Sequence, residues 1–518
     1  MSNPLTICGL IGLSICFLEL IFVGLPFRCK ESPQRGVFRS FVARCLNYVH
    51  HLCIQPLDSI IAFTVRCYLR PRSTSKLNLV FAMPIFFFAI VTFPIALIGV
   101  FLRIAIYPFR SNIVCRDRSI AFESSISDLQ AQRSANSAAD EVRIVSVNVA
   151  MSEFETMNAA FQVPASKKRV NDIVISVLRH DPDVICLQEV FHSLCADAIA
   201  SLLCDHGYFV AFQSDTAAPF SLSSGLLMAS KVPFRNCTFE KFDRYVGLES
   251  LAAKGFLAFE CNFDHNIPGL SSTLQLITTH LQSGSSTLDM CTTRFHQLSQ
   301  IHRFIQEQKC ADSLSAHSSL MKSSTKSTII AGDFNMFYDT DISECSENER
   351  VKNLDFNEFF VESQDIRCLK TNDHARNLHV YTTKRNWNHL DCPVDATTLA
   401  SPMYSRGSTI DMAARTVRNS LSFVSRALSE KTPTKQGLSL KADFDEQYTQ
   451  LLKCPNVLSD IDSYLDRMIP RNANRSLDHI FLVDVPPNLS CHGRLLIPWG
   501  PHCGICSDHY VMIGTLSG

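Results

Sequence analysis

The sequence predicts a layered α/β domain preceded by an N-terminal hydrophobic helical module that associates with a membrane. Two long apolar stretches, at about residues 5–27 and 77–107, dominate the N-terminus. Each stretch is long enough to cross a hydrocarbon core of about 30 Å as a helix. From residue 142 onward, short β-branched runs alternate with segments of helical apolar spacing, which is the pattern of sheets packed against helices.

Charge is distributed unevenly between the two ends of the chain. Residues 1–118 contain 13 Lys and Arg against 4 Asp and Glu, a charge of about +9, whereas the whole chain of 518 residues carries −1. The remainder therefore carries about −10. A basic, apolar N-terminus beside an acidic body is typical of a protein docked on anionic lipid. We predict a membrane-associated module at 1–118, a polar linker at 119–140 and a catalytic domain at 141–518.

Composition excludes a disordered chain and a disulfide-rich scaffold. Hydrophobic residues make up 46% of the sequence and charged residues 19%, which is ordinary for a folded protein. The 21 cysteines are scattered, and the one CxxC motif, Cys503 to Cys506, has no second pair at zinc-finger spacing. We expect reduced thiols rather than a zinc site at these positions.

Two membrane topologies are open for the N-terminal module. The basic segment at 28–76 belongs in the cytosol by the positive-inside rule, so two full spans would place the catalytic domain on the outer side. Arginines also follow the second apolar stretch, and this favours re-entrant insertion with helix breaks at Pro84 and Pro94. The first stretch lacks the basic leading region of a cleavable signal peptide.

Apolar runs and 3.6-residue spacing predict the secondary structure of the catalytic domain. The strands are predicted at 142–149, 184–188, 225–229, 256–259, 274–279, 328–331, 477–483 and 510–514. The helices are predicted at 166–179, 292–308, 420–428 and 444–452. The serine-rich segment 311–327 is expected to be a loop, and no function is assigned to the long stretch 337–475.

Polar side chains of catalytic types stand at the ends of these strands. Six successive strand boundaries carry an acid, an amide or a histidine, and a sheet projects such side chains into a shared cleft. In chain order they are Asn148, Glu189, His280, Asp333, Asn335, Asp478, His479, Asp508 and His509. Any one of them alone fits a helix cap or a solvated turn, but the series predicts a single site.

This set of side chains suits the hydrolysis of a phosphodiester. A hard divalent cation held by carboxylate oxygen polarises a phosphoryl group. A His–Asp pair takes a proton from water, and neutral or cationic donors stabilise the phosphoryl oxygens. Because Mg²⁺ takes only one or two protein carboxylates and keeps several waters, a single acid suffices as its main ligand. Glu189 is the strongest candidate for that ligand.

The motifs NVA, LQEV, SSGLLMAS, TTHL, AGDFN, LDHIFL and SDH follow one another in an order that resembles the endonuclease/exonuclease/phosphatase superfamily. The resemblance covers residues 142–518 and implies a DNase I-like, four-layered α/β sandwich with Mg²⁺ as cofactor. It implies that Glu189 ligates Mg²⁺ with Asn148 beside it. His509 would be the general base, and Asp508 would orient it.

The same resemblance implies roles for the remaining strand-end residues. His280 and Asn335 would stabilise the pentacovalent phosphorane. Asp333 would orient the nucleophilic water, and Asp478 would support the site.

The two hydrophobic segments joined to this body resemble the membrane-anchored neutral sphingomyelinases of type 2. That resemblance implies hydrolysis of sphingomyelin to ceramide and phosphocholine, with activation by anionic phospholipid such as phosphatidylserine. It also implies a catalytic domain in the cytosol, at the inner leaflet of the plasma membrane or at the Golgi. The stretch ESLAAKGFLAF matches a switch that gates the catalytic site in that family, here Glu249 and Lys254. Glu249 departs from the usual Asp, and an exposed ion pair is the alternative interpretation.

Other members of the superfamily fit the sequence less well. Inositol phosphatases carry a Trp beside the GDxN strand and a late Pro-x-Trp-x-Asp-Arg stretch, where this chain has IIAGDFN and PRNANRSLDH. A nuclease needs a basic, aromatic-lined groove, so no nucleic-acid partner is predicted for this acidic body. A catalytically inactive scaffold would lack a ligand or the base, and none of the motif residues is missing. Another lipid phosphodiesterase stays open, because the order of residues does not reveal a choline cage.

Overall fold

The structure is a computed structural model, and its described residues fall into several ranges. They are 36–69, 77–106, 113–117, 141–160, 164–213, 221–263, 267, 270–271, 273–283, 288–318, 326–335, 366–368, 478–483, 490–496, 499–500, 504–507, 509 and 511–517. The predictions that lie outside these ranges concern the apolar stretch at 5–27, the linker at 119–140, the helices at 420–428 and 444–452, and Asp508.

Within the described ranges the chain forms fifteen strands, six α-helices and a 3-10 helix at Gly247–Leu251. The strands are β1 (Ile113–Arg116), β2 (Glu141–Met151), β3 (Val184–Val190), β4 (Phe209–Gln213), β5 (Leu227–Ser230), β6 (Phe234–Lys241), β7 (Gly255–Asn262), β8 (Thr273–His280), β9 (Ser327–Asp333), β10 (Ile366–Cys368), β11 (Asp478–Val483), β12 (Ser490–Leu496), β13 (Trp499–Gly500), β14 (Gly504–Ile505) and β15 (Val511–Ser517). The helices are α1 (Gly36–Leu69), α2 (Leu77–Ile106), α3 (Glu155–Ala160), α4 (Ser166–Leu178), α5 (Ser193–Asp205) and α6 (Leu288–Ser318).

Thirteen of these strands form two mixed sheets. The first has the order β1-β4-β5-β3-β2-β15-β12, and the second has the order β10-β11-β9-β8-β7-β6. Neighbours are antiparallel except for β2 with β3 and β8 with β9, which are parallel. Each sheet therefore has one pair of central strands whose carboxyl ends lie side by side, and this arrangement brings the strand-end residues together.

The eight predicted strands are confirmed as β2, β3, β5, β7, β8, β9, β11 and β15, and the two helices at 166–179 and 292–308 as α4 and α6. The sequence analysis missed β4, β6, β12 and α5 among the larger elements. β1 pairs with β4, so the predicted domain boundary at residue 118 falls after the first strand of the sheet.

The layer between the two sheets changes from apolar to polar along β2. Alternate side chains of a strand point to the same face. On β2, Val142 and Ile144 belong to the apolar cluster that both sheets share. Ser146 and Asn148 follow on the same face and are buried as well. The carboxyl end of β2 therefore places a polar side chain, Asn148, at the margin of the inter-sheet core.

Helices cover the outer face of each sheet. Apolar residues of α4 and α5, such as Val174 and Ile199, pack against the opposite face of β2, including Val145. On the second sheet, Phe295 and Ile301 of α6 belong to the cluster that covers β7, β8, β9 and β11. The catalytic domain is thus a helix–sheet–sheet–helix arrangement, a four-layered α/β sandwich, as the motif resemblance implied.

The two N-terminal helices pack against each other as a pair. They approach closely at Gly99 of α2, where a Cβ atom would lie 2.8 Å from a side-chain carbon of Ile54 and 2.9 Å from one of Cys53. The opposite side of α2 is apolar and exposed, and Phe101 is 69% exposed there. Among the described helices, one segment, Phe87–Ile104, is long and apolar enough to cross a membrane.

Two predictions about this module are wrong. The helix breaks predicted at Pro84 and Pro94 are absent, because α2 continues through both prolines. Proline removes one backbone donor and crowds the preceding turn, but neighbouring turns keep their bonds and α2 packs along α1. The basic segment at 28–76, for which no helix was predicted, contains the helix α1, which has 34 residues and includes Pro56.

Helix α1 also contacts the catalytic domain through a buried carboxylate. Asp58 accepts hydrogen bonds from the backbone nitrogens of Glu155 at 2.6 Å and Thr156 at 3.0 Å. The hydroxyl of Thr156 donates to the same carboxylate at 2.6 Å. Asp58 thereby satisfies donors that the first turn of α3 leaves unpaired. Burial raises the pKa of Asp58.

Two further expectations are corrected by local structure. The segment 311–327 is not entirely a loop, because α6 continues to Ser318. Alanine and leucine between the serines sustain the helix there. Among the described cysteines, nine are free thiols, whereas Cys291 is disulfide-bonded, which corrects the expectation of reduced thiols at that position.

Candidate active site

The strand-end residues meet at one edge of the inter-sheet layer. Asn148 pairs in register with Gln188, the residue before Glu189, because β2 and β3 run parallel. In the second sheet, Asp333 of β9 is flanked by His280 of β8 and by Asp478 of β11. The predicted convergence is therefore present for Asn148, Glu189, His280, Asp333 and Asp478, and sheet register produces it. His479 instead stacks on Phe481, on the other face of β11.

Asn148 joins the two sheets through its side-chain amide. Its Nδ2 donates to Glu189 Oε1 and to Asp333 Oδ2, both at 2.9 Å. Its Oδ1 accepts from the backbone nitrogen of Ala150 at 3.0 Å, which fixes the orientation of the amide. Asn148 and Asp333 are buried, whereas the Glu189 side chain is 29% exposed. The three side chains form a carboxylate–amide centre that is open on the Glu189 side.

Asp333 lies in an environment that disfavours its negative charge. Burial and the nearby charge of Asp478 raise the pKa of Asp333 to about 7. A cation placed beside this carboxylate would offset both effects.

The donor set fits a hard divalent cation. Oxygens of Glu189 and Asp333 lie within 4.8 Å of each other and of a nitrogen of His280. Carboxylate oxygens are the protein ligands that Mg²⁺ prefers. The raised pKa of Asp333 is a second indication that positive charge is lacking here. Glu189, with the amide of Asn148 beside it, would hold Mg²⁺ at this centre.

His509 faces this centre with a defined partner. Its Nδ1 lies 2.9 Å from Asp478 Oδ2, and its backbone nitrogen donates to the hydroxyl of Ser507 at 3.2 Å. Its Nε2 lies 3.9 Å from Asp333 Oδ2. The described side chain that orients His509 is thus Asp478, for which only a supporting role was predicted. The role assigned to Asp508 stays a prediction.

His280 lies between the carboxylate centre and the predicted switch. Its Nε2 is 3.6 Å from Asp333 Oδ2, 3.7 Å from Glu189 Oε1 and 3.1 Å from Lys254 Nζ. Burial, together with the charges of Lys254 and His509, lowers the pKa of His280 well below its usual value. His280 is therefore neutral, and its Nε2 accepts from the ammonium group of Lys254.

The predicted switch residues are in direct contact. The carboxylate of Glu249 pairs with the ammonium group of Lys254 and also accepts from the hydroxyl of Ser283. Lys254 is buried and donates to the backbone oxygen of Leu281 at 2.9 Å. The pair is therefore not an exposed loop contact, because one partner lies inside the protein beside His280.

Two strand-end residues have left-handed backbone conformations. Glu189 has φ 58° and Asn335 has φ 50°. The backbone nitrogen of Asn335 donates to Asp333 Oδ1 at 2.9 Å, and its Nδ2 donates to Leu281 O at 3.3 Å. Non-glycine residues rarely adopt such φ values, and those that do cluster at functional sites.

Glycines in two of the motifs permit close backbone contacts at the site. A Cβ atom on Gly332, in AGDFN, would lie 2.0 Å from Thr279 O on the neighbouring strand. Gly225, in SSGLLMAS, has φ +69°, and a Cβ atom there would lie 3.1 Å from Glu189 Cα. Both motifs therefore require glycine for a physical reason, because any side chain would displace a candidate catalytic residue.

Sequence reasoning missed two buried residues that hold the site together. Arg169 donates to the backbone oxygens of Val149 at 2.6 Å, Ala150 at 2.7 Å and Cys506 at 2.8 Å. Ser507 donates to the backbone oxygen of Asn148. Arg169 and Ser507 thereby attach the segment that carries His509 to the end of β2. Arg169 follows two lysines in the sequence, which concealed it among side chains typical of a solvated helix face.

Part of this sequence matches a known protein family. The Endonuclease/Exonuclease/phosphatase family matches residues 145–391. That range begins in β2 and includes Glu189, His280, Asp333 and Asn335. No curated protein sequence matches the chain.

Several solved structures resemble the chain in three dimensions. SmcL has 14% identity and a TM-score of 0.38, covering 73% of this chain and 99% of its own. A variant of beta toxin from Staphylococcus aureus with bound magnesium ions has 14% identity and a TM-score of 0.38, covering 72% and 99%. Sphingomyelinase C from Streptomyces griseocarneus has 13% identity and a TM-score of 0.37, covering 72% and 99%.

Proposed function

We propose that this chain is a Mg²⁺-dependent phosphodiesterase that hydrolyses sphingomyelin to ceramide and phosphocholine at a membrane surface. One observation carries the proposal. The hydrogen-bonded pair of His509 and Asp478 faces the carboxylate–amide centre of Asn148, Glu189 and Asp333, with 3.9 Å between His509 Nε2 and Asp333 Oδ2. A base and a cation-binding carboxylate are thus close enough to act on one phosphoryl group.

The metal would be held mainly by Glu189, with the amide of Asn148 beside it. Bound Mg²⁺ supplies positive charge that polarises a phosphoryl oxygen and neutralises the charge that develops there. Asn148 keeps Glu189 and Asp333 in place by donating one hydrogen bond to each.

His509 would act as general base toward the attacking water. Asp478 accepts from Nδ1–H of His509, so Nε2 carries the lone pair that would take a proton from water. A carboxylate behind the imidazole also stabilises the imidazolium that results. Asp333, across from Nε2, is placed to orient the water between them.

His280 and Asn335 would stabilise the phosphoryl oxygens. While Lys254 donates to His280 Nε2, that nitrogen is occupied and does not face the substrate. We infer that Glu249 controls this contact, because its carboxylate holds the same ammonium group. A shift of Glu249 would move Lys254 and release His280, which is the gating role expected of the pair.

The N-terminal helices would bring the site to its lipid substrate. The exposed side of α2 carries large apolar residues, including Phe87, Phe93 and Phe101. Such a surface is favourable only in contact with lipid or protein. We place the catalytic domain in the cytosol, at the inner leaflet of the plasma membrane or at the Golgi. The basic residues of the module favour activation by phosphatidylserine.

An assay on sphingomyelin in mixed micelles tests the proposal. We expect release of phosphocholine to require Mg²⁺, to stop with EDTA and to increase with phosphatidylserine. His509→Ala should abolish it, whereas His302→Ala, on the exposed side of α6 beside Gln306, should retain it. Absence of release by a folded preparation under every condition would exclude the sphingomyelinase function.

The family match also includes nucleases and phosphatases, so the same preparation should be assayed on inositol phospholipids and on single-stranded nucleic acid. We expect no turnover of nucleic acid. If another phosphodiester is hydrolysed and His509→Ala abolishes that hydrolysis, the proposed catalytic site stands and only the assigned substrate changes.

A further inference from the structure

A second cluster of imidazole and carboxylate groups lies where α1 meets the catalytic domain. We call it the junction cluster, and its members are His50, His51, Glu153 and His192. His50 and His51 lie on α1, Glu153 follows β2, and His192 follows β3. All four are at most 9% exposed. None of them takes part in the candidate active site.

The junction cluster has the spacing of a metal site. One ligand atom from each of His50, His51 and Glu153 lies within 4.8 Å of the others. The closest measured pair is His51 Nε2 and Glu153 Oε1, at 3.5 Å. The ring of His192 stacks on that of His51, with 4.7 Å between centroids. The imidazole of His192 thus lies beside that of His51, next to the three candidate ligands.

Each neutral histidine carries one unprotonated ring nitrogen, and His51 Nε2 also lies 3.0 Å from the hydroxyl of Ser193. His50 Nδ1 lies 2.7 Å from Gly99 O and donates to it, which leaves the lone pair on Nε2. Metal-ligating histidines are commonly fixed by such a bond from the other ring nitrogen. Burial lowers the pKa of His51, and it lowers the pKa of His192 to about 4, so both rings are neutral. His192 Nδ1 is buried without a hydrogen-bond partner among the described residues.

A polar cavity adjoins these side chains. About 20 Å³ of it is open to the centre of a water-sized sphere, and Gln55, Asp58 and Lys167 line it together with the junction cluster. A cavity of roughly 10–15 Å³ by this measure holds one water. A single ion therefore fits, and the partly open cavity provides a path for it.

We propose that the junction cluster binds a divalent transition-metal ion of the Zn²⁺ type. Imidazole nitrogen with one carboxylate oxygen is a ligand set that Zn²⁺ accepts, whereas Mg²⁺ prefers oxygen ligands. A bound ion would tie α1 to Glu153 and His192, which follow Asn148 by five residues and Glu189 by three. The site would thus connect the N-terminal helices to the two strands that carry the candidate Mg²⁺ ligands.

Arg103 of α2 competes for the same ligands. Its guanidinium lies 3.2 Å from Glu153 Oε1 and 3.4 Å from His50 Nε2, while its second nitrogen donates to Ser221 O at 3.0 Å. The ligands thus already face a positive group. An incoming metal ion has to displace one of these contacts, and the bond to Ser221 can keep the guanidinium nearby. Removing the charge of Arg103 should therefore strengthen metal binding.

Zinc content measured on the full-length chain in detergent micelles tests the site. The background is Glu189→Gln with His509→Ala, which removes a ligand from each candidate metal group of the active site. After equilibrium dialysis against Zn²⁺ alone, we expect the content to fall by about one ion per chain on adding His51→Ala or Glu153→Gln. Adding His302→Ala should leave the content unchanged.

Two further measurements keep the outcome decisive if a variant misfolds. Because the ligands are imidazole and carboxylate, bound Co²⁺ should give ligand-field absorption without a thiolate charge-transfer band. Adding Zn²⁺ should displace the Co²⁺ and remove this absorption. Arg103→Met should bind Zn²⁺ several-fold more tightly, a gain that damage to the fold does not produce. Equal zinc content with and without His51→Ala and Glu153→Gln, or no gain in Arg103→Met, would overturn the proposal.

Discussion

At the scale of single residues, the candidate active site is organised by hydrogen bonds that cross between strands. His509 is oriented by Asp478, which lies 31 residues earlier and on another strand. Asp333 and Glu189 are held by the same amide of Asn148. Each candidate catalytic group is thus positioned by a partner that is distant in sequence, so single substitutions can separate positioning from chemistry.

Asp478→Asn should keep the fold and reduce turnover. The amide preserves the shape of the carboxylate but does not stabilise a charged imidazole, so kcat should fall about 10²- to 10⁴-fold. Steady-state kinetics on sphingomyelin would measure this loss. Asp181→Asn, which alters a surface ion pair with Lys231, is the matched control and should retain full activity. A loss below about five-fold for Asp478→Asn would exclude Asp478 as the residue that orients the base.

Asp333 should make the stability of the metal-free protein depend on pH. Because its folded pKa is raised to about 7 from 3.8, its contribution to stability is complete below about pH 4 and is lost as the pH rises through 7. Asp333→Asn cannot ionise, so its free energy of unfolding should decline less over that range. Thermal unfolding in EDTA from pH 4 to 8 measures the difference.

Mg²⁺ provides the control for this effect. A cation beside the Asp333 carboxylate should restore stability at pH 7 to 8 in the unsubstituted chain and do less in Asp333→Asn. Parallel pH profiles for the two proteins, with and without Mg²⁺, would contradict the assigned environment of Asp333.

The residue scale also shows where sequence reasoning ends. The strand-end acids, amides and histidines could be predicted because each one interrupts or ends an apolar run. The partner of His509 could not, since Asp508 is its neighbour in sequence whereas the contact with Asp478 depends on sheet register. Arg169 was missed because its burial comes from three backbone oxygens in two separate segments. No local pattern encodes such contacts.

At the scale of elements, the central strands were predictable and the helix α1 was not. β9 is buried along its whole length and β3 at every residue except Glu189, so both strands appear in the sequence as largely apolar runs. Helix α1 mixes arginine, histidine and apolar residues, and its buried polar groups are paired with the catalytic domain. Its stability therefore depends on contacts that the sequence of the helix does not reveal.

Gly332→Ala should disrupt the pairing of β8 and β9. Its Cβ atom would lie 2.0 Å from Thr279 O, and the paired backbone of the neighbouring strand cannot shift without a large cost in free energy. We expect a loss of several kcal/mol in the free energy of unfolding, with His280 and Asp333 displaced. Gly247→Ala is the matched control. It has φ +65° but nothing within 4 Å, so only backbone strain of about 1 kcal/mol should result. Chemical denaturation of both variants gives the comparison, and equal losses would contradict it.

At the scale of the whole molecule, the N-terminal helices are joined to the sandwich by polar contacts and expose apolar side chains on the other side. Asp58 and Arg103 are buried where they meet the catalytic domain. Phe93 and Phe101 are exposed on the far side of α2. This division predicts that α2 enters the bilayer with one side while the other side stays attached to the body that carries the site.

Hydrophobic photolabelling of the full-length chain in lipid vesicles would test this division directly. A photoreactive lipid reacts with side chains that lie in the hydrocarbon region, and mass spectrometry locates the adducts. We expect adducts on α2 at exposed positions such as Phe93 and Phe101. The buried Ala96 of the same helix and the exposed Met157 of α3 should carry none. Other segments of the chain that bind the membrane do not affect this result, because the adducts report which individual side chains contact lipid. Equal labelling of Phe101 and Met157 would mean that exposure alone decides reactivity and that α2 does not enter the bilayer.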